Sequence, residues 1–242
     1  MNEVYARTGA LPTAERWPPD DTEESVVGTD LHQTNIINLR WGINEIAGAL
    51  AVPGQPTPWQ ALSQTVITGF QRRDGSRYKT LPDVFVYKRA IDRRRRSLSA
   101  ILDGAPVLII EVLSDSTYDV DLDLEQGKGY SYARAGVREY LALDPTGEFL
   151  PELGRGWHLR EGAYQPWNPD ELGRWHSEEI AVTVGIEGLL ATVYTRDGRR
   201  QLREGEVTGA LARAETNARA LARAQDEVEE LRRLVEQLRH QQ

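Results

Sequence analysis

Residues 107–113 read Val-Leu-Ile-Ile-Glu-Val-Leu, a short run that is apolar except for one acid. A run of this length and composition predicts a β-strand that is buried on both faces. Glu111 is the exception, and burial of an unpaired carboxylate costs several kcal/mol or forces the group to take up a proton. Another group inside the fold must therefore meet Glu111.

A second acid stands at the start of another predicted strand. Val84-Phe85-Val86-Tyr87 follow Pro82-Asp83, and a strand tolerates proline at its first position. Two neighbouring strands that each carry a carboxylate at the end of a buried run bring two anions together. The usual solutions are a bound divalent cation, a nearby lysine, or both.

Hydrophobic periodicity extends this pattern into an α/β domain. Apolar residues at helical spacing predict an amphipathic helix over about 31–50, and a second helix is expected to run from about Asp119 to Ala135. Because strands at 107–113 and 137–143 flank the second helix, a strand–helix–strand unit is predicted. The other predicted strands are residues 66–70, 78–87, 156–160, 164–167, 180–184 and 189–194.

Composition limits the possible classes of protein. The chain has no cysteine, its four histidines show no metal-ligand spacing, and its net charge is −8, which argues against disulfides, zinc chemistry and tight non-specific binding to nucleic acid. Its apolar runs are too short to cross a bilayer. We expect a soluble, cytoplasmic protein with no membrane contact, whose proline- and acid-rich residues 1–27 form a flexible lead-in.

The C-terminal residues differ in character from the rest. From Val207 to Leu238, small and apolar residues recur at alternating steps of three and four, as in a coiled coil. We expect one long helix over 205–242 that pairs through residues 207–242 with a second copy or with another chain. The alternative is a helix that packs against its own domain.

An ordered set of residues in the body resembles a known family. The set contains Leu81-Pro82-Asp83, Glu111 to Thr117, Lys128, Tyr132, Gly136-Val137, Glu139-Tyr140 and Asp144-Pro145. It resembles the PD-(D/E)XK nuclease superfamily, and more closely its Uma-type restriction-endonuclease family. The match covers roughly residues 30–195, within a nuclease-like domain expected at 28–204.

The resemblance implies a restriction-endonuclease-like fold, a mixed β-sheet core flanked by helices. It also implies that Asp83, Glu111 and the main-chain carbonyl of Val112 bind Mg²⁺, for which Mn²⁺ can substitute. These are the hard oxygen ligands that Mg²⁺ prefers. Lys128 would then hold or deprotonate the attacking water, or contact the phosphate.

Some positions depart from the family pattern or only supplement it. Leu113 stands two residues after Glu111, where the superfamily has lysine, and the resemblance places the substitute at Lys128. Asp123 precedes Lys128 by five residues rather than four. His32 and Glu45 on the first helix are further candidates for ligands or phosphate contacts, although a half-buried, hydrogen-bonded histidine is the ordinary alternative.

Tyr132 is expected in the core or as a hydrogen-bond partner. The leading hypothesis is a Mg²⁺-dependent DNA endonuclease that forms a dimer through its coiled coil. One alternative is a catalytically inactive adaptor or binding protein with the same fold, and another is a structural oligomerisation module. The arginine run 93–96 can contact a phosphate backbone or lie in a solvated loop.

Overall fold

The computed structural model describes residues 30–92 and 94–239, with only the main chain described at 226, 230 and 234–239. The predicted lead-in over residues 1–27 and Arg93 lie outside the described residues. Along the chain the elements are α1 (Asp30–Ala49), β1 (Gln60–Leu62), β2 (Val66–Gln71), β3 (Arg77–Thr80), β4 (Val84–Tyr87), β5 (Ser97–Ser99), β6 (Leu108–Val112), α2 (Tyr118–Asp121), α3 (Lys128–Ala135), β7 (Glu139–Leu143), β8 (Gly154–Arg160), β9 (Ala163–Trp167), β10 (Trp175–His176), β11 (Val182–Glu187), β12 (Leu190–Thr195) and α4 (Glu204–Arg239).

A six-stranded mixed sheet forms the centre of the domain, in the order β1-β4-β6-β7-β8-β9. Strands β6 and β7 are parallel, and the other neighbouring pairs are antiparallel. The strand–helix–strand prediction over 107–143 is confirmed, because α2 and α3 connect these two parallel strands. Both faces of β6 are buried, as its apolar sequence predicted.

Helix α1 and the sheet β10-β11-β12 cover one face of the main sheet. Alternate residues of β4 and β6 (Val84, Val86, Leu108, Ile110 and Val112) share a buried core with them. The helix approaches β12 closely at Gly42, where an added Cβ would lie 2.8 Å from the Cβ of Val193. The absence of a side chain at Gly42 therefore allows α1 to pack tightly on this layer.

The opposite face of the main sheet is covered by α3 and the small sheet β3-β2-β5. Here the intervening residues of the same strands, among them Phe85 and Ile109, pack against Phe70 and Tyr132. Because side chains alternate along a strand, Asp83 and Glu111 are on this second face. The two acids therefore point toward the layer that contains α3.

The prediction of one strand over residues 78–87 is wrong. Residues 81–83 separate β3 from β4, and these two strands belong to different sheets. Pro82 has no N–H to donate to a strand neighbour, which favours a break at this point. The short strands β1, β5 and β10 were not predicted, whereas β8, β9, β11 and β12 confirm the downstream predictions to within a few residues.

The prediction of one continuous helix to Ala135 is also wrong. Helix α2 ends at Asp121, and α3 begins only at Lys128, after an extended Gly127 with φ −84° and ψ −157°. The end of α3 agrees with the prediction, because Gly136 adopts the left-handed conformation with φ 90°.

Helix α4 belongs to a second compact unit, which begins at Leu202, whereas the described residues up to Gln201 form the first. This helix, Glu204–Arg239, confirms the long helix predicted for the tail. Over residues 30–92 and 94–239, no helix is both long and apolar enough to span a membrane.

Candidate active site

Asp83 and Glu111 lie side by side at the ends of β4 and β6. The antiparallel register pairs Val84 with Ile110, so the next two residues outward, Asp83 and Glu111, oppose each other on the same face. The main chain connects the two acids crosswise. The Asp83 N–H donates to Glu111 Oε2 at 3.1 Å, and the Val112 N–H donates to Asp83 Oδ2 at 2.8 Å. Each carboxylate is therefore oriented by a backbone amide on the partner's strand.

Lys128 approaches the pair from α3, of which it is the first residue. Its Nζ lies 3.4 Å from Glu111 Oε1 and 3.0 Å from Asp121 Oδ1, and its side chain is only 5 % exposed. The flanking glycines allow this position. An added Cβ at Gly127 would lie 2.3 Å from the Val120 carbonyl oxygen, and one at Gly129 would lie 2.5 Å from Leu124 Cδ2.

Asp121 is a member of the cluster that the sequence did not single out. It is fully buried at the end of α2, and the Thr117 hydroxyl donates a 2.7 Å hydrogen bond to its Oδ2. In a continuous helix, Asp121 and Lys128 would be two turns apart and could not touch. The interruption of the helix, for which Gly127 and Gly129 were the signal, brings the two side chains together.

Glu111 is enclosed almost completely, with 2 % of its side chain exposed. The Tyr132 hydroxyl donates a 2.6 Å hydrogen bond to Glu111 Oε1. Burial raises the pKa of Glu111 to about 8; the ammonium group of Lys128 opposes the rise, and the charges of Asp121 and Asp83 add to it. Burial likewise raises the pKa of Asp121. An additional positive charge at this site would therefore stabilise the ionised forms of Glu111 and Asp121.

His32 lies on the more exposed side of the site. Its Nε2 lies 3.3 Å from Asp83 Oδ1, and the two side chains are 12 % and 13 % exposed. Burial alone would lower the pKa of His32, but the hydrogen bond and charge of Asp83 outweigh it and raise the pKa overall. Solvent therefore approaches the cluster from the side of His32 and Asp83.

Two predicted auxiliary residues lie outside this cluster. Glu45 is exposed on α1, about 20 Å along the helix from His32 at 1.5 Å per residue. Asp123 accepts hydrogen bonds from the N–H groups of Glu125 and Gln126 at 2.8 and 3.0 Å, so it shapes the turn before α3.

The donor set determines which metal the cluster suits. In the described part of the chain, no three or more His, Cys, Asp or Glu side chains are arranged to hold a metal ion. Mg²⁺ needs fewer protein ligands, because it commonly binds one or two carboxylates and takes its remaining ligands from water and substrate phosphates. The pair Asp83 and Glu111 fits this requirement. A bound cation would also favour the charged forms of the buried acids Glu111 and Asp121, whose pKa values burial raises.

The sequence model of the Uma2 family, described as "Putative restriction endonuclease", matches residues 47–193. The fold thus belongs to the restriction-endonuclease-like class of α/β proteins. The match covers more than half of the 242 residues, and the chain belongs to the Uma2 family. None of the curated proteins matches the chain.

Proposed function

We propose that the chain is a Mg²⁺-dependent endonuclease that hydrolyses phosphodiester bonds of DNA. The observation that carries this proposal is the crosswise hydrogen bonding of Asp83 and Glu111 beside the Lys128 ammonium group. Family membership supports the reaction class. DNA is the substrate of restriction endonucleases, and a negatively charged phosphate suits a site that contains a lysine.

Each side chain of the site has its own role in the proposed reaction. Asp83, Glu111 and the Val112 carbonyl would hold Mg²⁺ or Mn²⁺, which when bound neutralises phosphate charge and makes a coordinated water more acidic. Lys128 orients the attacking water or neutralises a phosphate oxygen. Asp121 and Tyr132 keep Lys128 and Glu111 in place. His32 orients the exposed oxygen of Asp83.

Nicking of supercoiled plasmid DNA in the presence of Mg²⁺ or Mn²⁺ tests the proposal. Asp83→Asn and Glu111→Gln should each lower the cleavage rate by about 10²-fold or more, a loss typical of removing one group that stabilises the transition state. Glu139→Gln is the matched control, because Glu139 is also a buried glutamate of the main sheet but hydrogen-bonds to Ser177. Equal cleavage by wild type and Glu111→Gln would refute the proposal.

A second candidate is an adaptor that retains the fold without the reaction. The lack of a three-ligand metal cluster in the described residues and Leu113 at the usual lysine position favour it. Calorimetric titration with Mn²⁺ separates the two functions. The endonuclease requires binding that Asp83→Asn weakens, whereas an adaptor predicts no metal binding at all.

We also propose that the chain forms a homodimer through α4. The exposed apolar side chains Leu221, Val228 and Leu231 of α4 support this proposal, because they fall on the seam of the heptad pattern. A two-fold dimer suits cleavage of duplex DNA, since its two sites can address two antiparallel strands.

A further inference from the structure

The outer face of the small sheet β3-β2-β5 contains a groove with a volume of about 580 Å³. We call it the hairpin groove; its lining includes Thr68, Gly69, Arg77, Lys79, Ile101 and Leu102. None of these residues belongs to the Asp83–Glu111 cluster. A groove of this volume matches the size of ordinary small-ligand sites and can hold a unit as large as a nucleotide.

Gly69 keeps the floor of the groove open. It has φ +88° at an irregularity of the β2–β3 pairing, and an added Cβ would lie 3.0 Å from the side chain of Ile101. Next to it, Thr68 is paired with Lys79 on β3 and with Ser99 on β5. Lys79, Thr68 and Ser99 therefore form one row across the sheet, with one amine and two hydroxyl groups.

The two walls of the groove differ in chemistry. Ile101 and Leu102 form an apolar wall, and Leu102 is 88 % exposed. Arg77 and Lys79 follow each other on the outer face of β3, and neither side chain makes an ion pair or hydrogen bond within the described ranges. A ligand that combines an anion with an apolar or aromatic ring complements both walls.

Charge is distributed very unevenly along the chain. Residues 72–96 contain ten lysines and arginines and three aspartates, although the whole chain has a net charge of −8. Five of these bases contact acids or a carbonyl oxygen: Arg73, Lys88, Arg89, Arg94 and Arg95. A polyanion is therefore attracted to this segment and repelled by the acidic remainder of the chain.

The groove is close to the candidate active site along the chain. Asp83 is the fourth residue after Lys79, and an extended chain spans at most about 3.5 Å per residue, so their Cα atoms are no more than about 14 Å apart. A DNA strand of only a few nucleotides can therefore reach from the groove to the two acids.

We propose that the hairpin groove binds the strand of the DNA substrate that leads to Asp83 and Glu111, an inference that rests on the proposed function. Arg77 and Lys79 contact successive phosphates of this strand. Ile101 and Leu102 contact the carbon atoms of its sugars and bases. The groove therefore positions the substrate and takes no part in the hydrolysis.

Fluorescence anisotropy with a labelled DNA duplex, with Ca²⁺ in place of Mg²⁺, tests the phosphate contacts. The double variant Arg77→Gln/Lys79→Gln should weaken binding about 10-fold and reduce the slope of log affinity against log salt by about 2, one for each lost contact. The matched control is Arg196→Gln/Arg199→Gln, which removes two exposed charges beside β12, in the opposite layer. The control should bind as wild type does.

A second pair of variants tests the apolar wall without disturbing the core. Leu102→Glu should weaken duplex binding several-fold, because it places an anion beside the bound strand. Leu172→Glu makes the same change at another exposed leucine, in the connection between β9 and β10, and should have no effect. Because both leucines are exposed, neither change should unfold the protein.

The inference is overturned if Arg77→Gln/Lys79→Gln binds the duplex with the wild-type affinity and salt slope. Tight binding of a deoxynucleoside monophosphate by a wild-type protein that ignores the duplex would also overturn it, since the groove would then serve a free nucleotide. The proposed function fails separately if the duplex binds through Arg77 and Lys79 but is not cleaved with Mg²⁺ or Mn²⁺.

Discussion

The dipole of helix α3 disfavours the positive charge of Lys128. As the first residue of α3, it lies at the end where the helix dipole is positive, which disfavours a cation. Glu111 and Asp121 offset this repulsion, at 3.4 and 3.0 Å from its Nζ. Asp121 is in turn fixed by Thr117. The position of the amine therefore depends on Asp121 as well as on Glu111.

This arrangement predicts that Asp121→Asn impairs cleavage. The amide keeps the size of the side chain but loses its charge, so the Lys128 ammonium group loses its ion pair with Asp121 and shifts. Misplacement by about 1 Å can lower a rate by about 10²-fold. Initial rates of plasmid nicking provide the measurement.

Asp123→Asn is the control for this prediction, since it makes the same change two residues away, in a side chain that caps a turn. It should retain most of the activity. If Asp121→Asn cleaved as fast as Asp123→Asn, Asp121 would have no positioning role.

Among the secondary-structure elements, the break between α2 and α3 shapes the site most directly. Gly127 lies against the Val120 carbonyl and against Asp123, which allows the chain to turn and to begin α3 at Lys128. A continuous helix would place Asp121 about 10 Å from Lys128 along its axis. The break between α2 and α3 thus brings Asp121 and Lys128 close enough to form an ion pair.

Gly127→Ala should destabilise the protein, because the new methyl group would lie 2.3 Å from a main-chain oxygen. Overpacking of this kind costs about 1–3 kcal/mol. Gly48→Ala in α1 is the matched control. Nothing lies within 4 Å of its added Cβ, and alanine should stabilise the helix by up to about 1 kcal/mol. Urea denaturation measures both, and a stable Gly127→Ala variant would contradict this account of the turn.

A second buried glutamate, Glu139, connects the main sheet to the sheet β10-β11-β12 and lies outside the Asp83–Glu111 cluster. Glu139 begins β7 and accepts hydrogen bonds from the Ser177 hydroxyl at 2.5 Å and the Glu178 N–H at 2.6 Å, at the turn before β11. Burial raises its pKa to about 7, against the opposing effect of these hydrogen bonds. The folded state therefore binds a proton that the unfolded state releases near its ordinary pKa of 4.5.

Wild-type stability should accordingly fall as the pH rises from about 4.5 through 7, since the native state binds more protons in this window. The pKa difference corresponds to about 3 kcal/mol at 1.36 kcal/mol per unit. Glu139→Gln cannot titrate and should lose less stability over the same window. Urea unfolding at several pH values measures the difference, and parallel curves for the two proteins would exclude a role for Glu139.

Features that depend on the local hydrophobic pattern could be predicted from the sequence. Features that depend on contacts between different elements could not. Alternation and apolar runs located β6, β7 and α1, and the ordered acids located Asp83 and Glu111, which the structure places on adjacent strands. Asp121 could not be found in this way, because its contact with Lys128 depends on a turn that follows from packing around Gly127. The separation of β3 from β4 likewise depends on which sheet each strand joins.

At the scale of the whole molecule, α4 and the candidate site belong to different compact units. Its side chains are mostly exposed where they are described, including Leu221, Val228 and Leu231 on the seam of the heptad pattern. Helices in proteins gain most of their stability from an apolar face that packs against other parts of the structure. Pairing with a second copy would bury this face.

Light scattering should therefore give the mass of a dimer for the wild type and of a single chain for Leu221→Glu/Leu231→Glu. The double change places acids at two seam positions, where they would oppose each other across the dimer. Ala212→Glu/Ala222→Glu adds the same charges at exposed positions outside the seam and should remain dimeric. A wild type with the mass of one chain would refute the dimer.

The direct opposition of Asp83 and Glu111 also bears on how proteins of this kind diversify. The ladder between β4 and β6 sets the spacing of the two acids, and the connecting residues 88–107 do not. Insertions or deletions in this segment, which carries six of the basic residues, can change the surface charge of the domain and leave the spacing of the two acids unchanged. The paired acids and the basic segment can thus evolve independently of each other.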